Sequence, residues 1–154
     1  MATIQLEQFR TRQFGSVPYG NLTALHFKLR TNATGAAVAS SSSAALAVND
    51  VIELGDLPEG FFIQDSTIIV STALTAAVTC SLGIKYSDGV DSTLVPQSAT
   101  MFGAGLVLNS TGRLRSTATN ELVKLPKAAR LILTITGAAN AKVGVVDVLI
   151  IGEL

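Results

Sequence analysis

The chain is poor in the residue types that build reactive sites. It has one cysteine (Cys80), one histidine (His26), no tryptophan and two tyrosines, and only 14% of its 154 residues are charged. A single cysteine excludes an intramolecular disulfide. At this length a single domain buries roughly 70% of its unfolded surface, so neither a disulfide nor a metal is needed to hold it. A lone histidine, His26, sharing a polar strand face with Lys28 and Arg30, has no second ligand and no nucleophile within its motif. The absence of tryptophan removes the usual aromatic platform of a sugar site.

Charge is scarce and also balanced. Eleven basic and eleven acidic residues give a formal net charge of zero, so no whole-molecule field draws in nucleic acid or an anionic membrane. Neither partner is expected. Two uncharged stretches, Ser66 to Ile84 and Ser92 to Gly112, are long enough to raise a membrane span. Serines and threonines break up the first, and Pro96, Gln97, Asn109 and several glycines the second, so both read as strands. The amino-terminal residues show no basic start followed by an apolar stretch, and a chain made and assembled in the cytoplasm is expected. The sequons at Asn21, Asn32 and Asn109 then carry no meaning.

What the chain does have is alternation. Val78, Cys80, Leu82, Ile84 and Tyr86 share one face, and Thr79, Ser81, Gly83, Lys85 and Ser87 the other, the pattern of a half-buried strand. Asp88-Gly89 then favours a hairpin or sharp corner, with the next strand after Pro96. The same period sets Leu25, Phe27 and Leu29 against His26, Lys28 and Arg30, and aligns Leu131, Leu133 and Ile135. Ile63 to Thr72 is rich in β-branched residues and follows a turn-forming Asp56-Leu-Pro-Glu-Gly60.

Gly137-Ala-Ala-Asn140 separates two apolar runs closely enough to predict an antiparallel hairpin. In the second run Val143, Val145, Leu149 and Ile151 oppose Val146, Val148 and Ile150. Such a strand has no polar side, and is either central in a sheet or covered by a partner. Gly35 to Val48 has alanines enough for a helix, but four consecutive serines interrupt it, which predicts a flexible loop.

About eight or nine strands at spacings near 8–12 residues predict an all-β fold, a β-sandwich or jelly roll of about eight strands. Residues 1–20 are more polar and lack alternation, and read as an extended arm before a single domain over 21–154. Phe9, Arg10, Arg12, Phe14 and Tyr19 make that arm a candidate partner-binding segment, because aromatics and arginine carry most interface energy.

The remaining candidates read structurally. Cys80 falls on an apolar strand face, where a thiol is inert. Asp88 and Asp91 suit a turn and lack the acidic spacing of a calcium loop. Gly103 and Gly105 lack the third glycine and lysine of a phosphate loop, and predict a bent or bulged strand. Arg113 and Arg115 alternate on a short strand, as an anion site or a solvated edge. Glu53 and Asp56 bracket a loop. No catalytic residue, cofactor or metal is expected, and the chain does not read as an enzyme.

The succession Leu57-Pro-Glu-Gly-Phe-Phe-Ile-Gln-Asp-Ser-Thr-Ile-Ile-Val-Ser-Thr-Ala-Leu, Ser81-Leu-Gly-Ile-Lys-Tyr-Ser-Asp-Gly, Leu131-Ile-Leu-Thr-Ile-Thr-Gly and Val145-Val-Asp-Val-Leu-Ile-Ile-Gly resembles the jelly-roll decoration, or cement, proteins of tailed bacteriophages. The resemblance implies a virion protein on the outer capsid surface, assembled in the host cytoplasm. Its partners would be itself, as a homotrimer or homodimer, and the major capsid protein. No signature residue carries across. A head-tail joining or tail subunit fits nearly the same composition, a carbohydrate-binding module is a second class, and a hydrolase on a β scaffold ranks last.

Overall fold

The computed structural model describes residues 1–6, 22–118 and 122–154, and these form ten strands and no helix. In chain order the strands are β1 (Thr3–Gln5), β2 (Leu22–Thr31), β3 (Val51–Leu57), β4 (Phe62–Thr72), β5 (Thr79–Tyr86), β6 (Ser98–Val107), β7 (Gly112–Arg115), β8 (Val123–Lys124), β9 (Ala129–Thr136) and β10 (Gly144–Glu153). One sheet has the order β1-β3-β9-β5-β6; the other runs β2-β10-β4-β7, with β8 on β4. Without the short β1 and β8, the second sheet takes the first, eighth, third and sixth strands, and the first sheet the second, seventh, fourth and fifth. This interleaving is the jelly roll, as the alternating segments predict.

The period of two decides which side chains meet. Cys80, Leu82, Ile84 and Tyr86 of β5 and Leu131, Leu133 and Ile135 of β9 all point inward and are buried. They face Leu25 and Leu29 of β2, Ile68 and Val70 of β4, and Val146, Val148 and Ile150 of β10 in one continuous core. Each large aliphatic side chain so buried contributes about 1.5–3 kcal/mol relative to exposure.

Three expectations need correction. Glu53 and Asp56 do not bracket a loop: both belong to β3, whose alternation is hidden by a register shift between Glu53 and Gly55. The bulge lets Ile52, Leu54 and Leu57 all reach the core. The predicted hairpin at residues 137–140 is a crossing between sheets, because β9 lies in the first sheet and β10 in the second.

Asn140 fixes that crossing. Buried to 1% exposure, it donates through Nδ2 to Thr31 Oγ1 (3.1 Å), Gly35 O (3.3 Å) and Lys142 O (2.8 Å), and accepts from the Thr75 backbone N–H at 3.1 Å. The third correction concerns residues 35–48, which form an irregular but tied segment. Leu46 is fully buried, Ala36 bridges Ala45, and Leu46 N–H donates to Gly35 O at 3.1 Å.

The bulged-strand reading of Gly103 and Gly105 holds. β6 begins at Ser98, pairs with β5, and carries the register shifts and positive φ angles (Gly103, 152°; Gly105, 65°) of a bulged strand. No described helix is long and apolar enough to cross a membrane.

Close packing of β5 on β6 makes a specific demand at Gly83, where an added Cβ would lie 2.0 Å from the Ser98 carbonyl oxygen. Backbone cannot yield as a flexible side chain does, so Gly83→Ala should cost about 1–3 kcal/mol. Urea unfolding measures this, and unchanged stability would refute the close approach.

Candidate interaction surfaces

β10 is the central strand of the second sheet, hydrogen-bonded to β2 and β4 along its length. Its inner row is fully buried, while Val145, Leu149 and Ile151 on the outer row are half-buried. Asp147 interrupts that row. His26 Nε2 lies 2.6 Å and Lys28 Nζ 3.4 Å from its carboxylate, which places the only histidine in a surface hydrogen bond. With Ile69 of β4 and the exposed Ala24 of β2, the outer row of β10 makes a mixed face, in which His26, Lys28 and Arg30 of β2 and Asp65 and Thr67 of β4 stand beside the apolar residues and Arg113 and Arg115 lie at the β7 edge. Arg115 pairs with Asp65. The two arginines therefore sit on one short edge strand, one of them already neutralised.

The outward face of the first sheet has a different character. Glu53 is 1% exposed, yet its neighbours satisfy it from three strands. Gln5 Nε2 donates to it at 2.8 Å, Lys85 contacts it directly, and Arg130 Nη1 lies 3.4 Å from both oxygens. Burial pushes its carboxyl pKa up, but hydrogen bonds from Lys85 and Gln5, with the charges of Lys85 and Arg130, outweigh this and hold it below the ordinary value. Arg130 also reaches Asp56, at 3.9 Å. Beside this cluster Lys85, Tyr86, Gln97, Arg130 and Ile132 line a shallow hollow of about 450 Å³. Sequence reasoning missed the cluster; its signal was a glutamate inside the apolar run of β3.

Gln5 belongs to a further site, the slot along β3. β1 pairs in parallel with Val51, Ile52 and Glu53, and Ile4 and Leu6 are buried at 1% and 3% exposure. Ala2 N–H donates to Asp50 Oδ1 at 3.1 Å, and Ser41 N–H to Gln5 O at 2.8 Å. These residues lie within the stretch expected to be an arm. Phe9, Arg10, Arg12, Phe14 and Tyr19, the candidate partner-binding residues, lie outside the described residues.

The loop between β5 and β6 is anchored at its base and apolar at its tip. Asp91 Oδ1 accepts from Ser92 N–H and Gln97 N–H, both at 2.7 Å, and Lys127 pairs with Asp88 at 2.7 Å. Both aspartates thus act as turn anchors. Val90 and Leu94 stand 62% and 81% exposed. Among the described residues no group of three histidine, cysteine or acidic side chains is placed to hold a metal.

The interleaved two-sheet topology defines the class: a jelly-roll sandwich with one half-apolar outward face. A protein in the solved capsid of Ralstonia phage GP4 has the same fold, with a TM-score of 0.70 and 18% identity, over 98% of this chain and 97% of that one. No protein-family model and no curated protein matches the chain.

Glu53 generates a pH prediction. Its native pKa is depressed, so its contribution is present above the ordinary carboxylate range and is lost as pH falls through the native value. Glu53→Gln should lose about 1–3 kcal/mol at neutral pH and show a shallower decline below about pH 5. Denaturant unfolding across pH checks this; parallel declines would remove Glu53 as the cause. Cys80 is fully buried and burial pushes its thiol up to about 12. It should resist alkylation in the native protein and react at once in denaturant, as mass spectrometry would read.

Proposed function

We propose that the chain is a structural protein of a tailed bacteriophage that binds the capsid shell from outside and stabilises it as a homo-oligomer. The observation that carries this reading is the shared fold with a chain of the GP4 capsid over nearly the full length of both chains. At 18% identity the likeness itself speaks for fold, so the functional step rests also on the surfaces.

Those surfaces suit docking. The outer face of the second sheet offers Val145, Leu149, Ile151 and Ile69 interspersed with Asp147, Thr67 and Asp65, and the tip of the β5–β6 loop offers Val90 and Leu94. Apolar side chains set among polar ones are the mixture a non-obligate protein interface presents. The mechanism is burial multiplied by valency: several modest contacts made by one oligomer must all fail before it leaves the shell. The major capsid protein is the partner in this reading, and the residues of the amino-terminal arm add aromatic and arginine contacts to it.

The test is quantitative mass spectrometry of purified particles. A copy number near that of the major shell subunit is expected. A few copies per particle would instead indicate a head-tail joining or tail subunit, and absence from particles would overturn the structural reading altogether.

A further inference from the structure

We propose that one end of the sandwich, the end built around Asn140, is the surface that seats on the shell, against an uncharged protein surface that offers a carboxylate to Lys142. The proposal rests on the shell-binding reading above and names which part of the molecule faces the shell.

Four connections meet at this end: residues 32–50 between β2 and β3, 73–78 between β4 and β5, 108–111 between β6 and β7, and 137–143 between β9 and β10. Hydrogen bonds fasten them to one another. Asn140 N–H donates to Leu46 O at 2.8 Å, while Asn140 Oδ1 accepts from Thr75 N–H at 3.1 Å. Ala141 N–H donates to Thr75 Oγ1 at 2.8 Å, and Leu74 N–H to Leu108 O at 2.9 Å. The surface is held in shape before any partner arrives, which lowers the ordering cost of binding.

Charge is divided unevenly between the two ends. In these four connections the only charged residues are Asp50 and Lys142. Asp50 is buried, and its two oxygens accept the backbone N–H groups of Ala2 and Ala47. The opposite end is gathered by Ser87 N–H donating to Ala128 O and Gly60 N–H to Leu125 O, and its connections carry Glu59, Asp88, Asp91 and Lys127. At the Asn140 end apolar side chains stand where charges would be expected. Val38, Val48 and Val143 in the connections, and Val107 beside them, are 38%, 42%, 49% and 39% exposed. Depletion of charge is the compositional mark of an interface core. The same end holds Ala39, Asn49 and Ala77, every non-glycine residue with positive φ among the described residues, a conformation that alanine adopts only at a cost.

Lys142 decides what covers this end. It is exposed, and the one acidic side chain in the four connections, Asp50, is already occupied. Two copies meeting by this end across a two-fold axis would bring two lysines and no available carboxylate into one contact. A copy presenting its opposite end would offer Asp88 and Asp91, but such a contact is head-to-tail and grows an open chain unless its rotation closes. The surface of a different protein meets neither obstacle. Seated this way, the chain turns its charged end to water, and the outer face of the second sheet and the β5–β6 tip serve other neighbours.

The experiment uses the full chain with one new thiol at a time: Val48→Cys or Val143→Cys at this end, and Glu59→Cys at the other. Cys80 is fully buried and does not compete. Each variant meets N-ethylmaleimide free in solution and bound to capsid shells produced without this chain, and mass spectrometry reads the labelling. On shells, labelling at positions 48 and 143 should slow about tenfold or more while position 59 keeps its free rate, because a thiol reacts only where the reagent reaches it. Lys142→Glu should weaken retention on shells about tenfold, and Lys142→Arg should preserve it. Positions 48 and 143 that label on shells at the free rate would overturn the proposal. Thiols already shielded in the free protein would also overturn it, since another copy or another part of the chain would then be the cover. Full retention of Lys142→Glu would remove the carboxylate. Shells that fail to retain the unsubstituted chain would instead overturn the shell-binding reading, and this assignment with it.

Discussion

Everything in this structure hangs on two apolar rows meeting across the sandwich. The inward residues of β5 and β9 in one sheet and of β10 and β4 in the other have almost no solvent exposure. They are held in register by antiparallel ladders running the length of the strands. A shift of one residue in any central strand would turn its apolar row outward. The outward faces are therefore free to vary in character, since the core alone specifies which way each strand lies. One face became a mixture of apolar and charged side chains and the other acquired a buried carboxylate.

That carboxylate shows how a buried charge is tolerated. Glu53 sits where desolvation alone would neutralise it, and Lys85, Arg130 and Gln5 converge on it from three different strands. Pairs of this kind need not add net stability over an apolar substitute. They do specify which strands must be adjacent. Here the requirement falls on β1, β5 and β9 together, and makes the amino-terminal strand part of the electrostatics of the sheet.

Much of the fold was legible in the sequence because most strands keep a strict period of two. β5 and β9 announced themselves through residues 78–86 and 131–135, and β2 through Leu25, Phe27 and Leu29. β3 was not legible, since its bulge breaks the alternation that would have marked it. Residues 137–140 misled for a different reason. A short gap between two strands is ordinarily a hairpin, but buried side-chain hydrogen bonds at Asn140 send the chain across the core instead. The Glu53 cluster was invisible because its members come from four separate stretches of sequence. The proposed docking residues of the arm remain a reading of composition.

The strand order also sets when the protein can form. Leu22, at the start of β2, lies opposite Glu153, near the end of β10, and β4 has the same neighbour on its other flank. The centre of the second sheet is thus supplied last during synthesis. Until β10 has left the ribosome, β2 and β4 have no ladder between them, and two β-rich segments wait with open edges. Folding must then close loops of more than a hundred residues, and such non-local pairing is slow, typically milliseconds to seconds. The sparse charges along these strands matter most in that interval, when Lys28 and Arg30 of β2 discourage unpaired edges of nascent chains from finding one another.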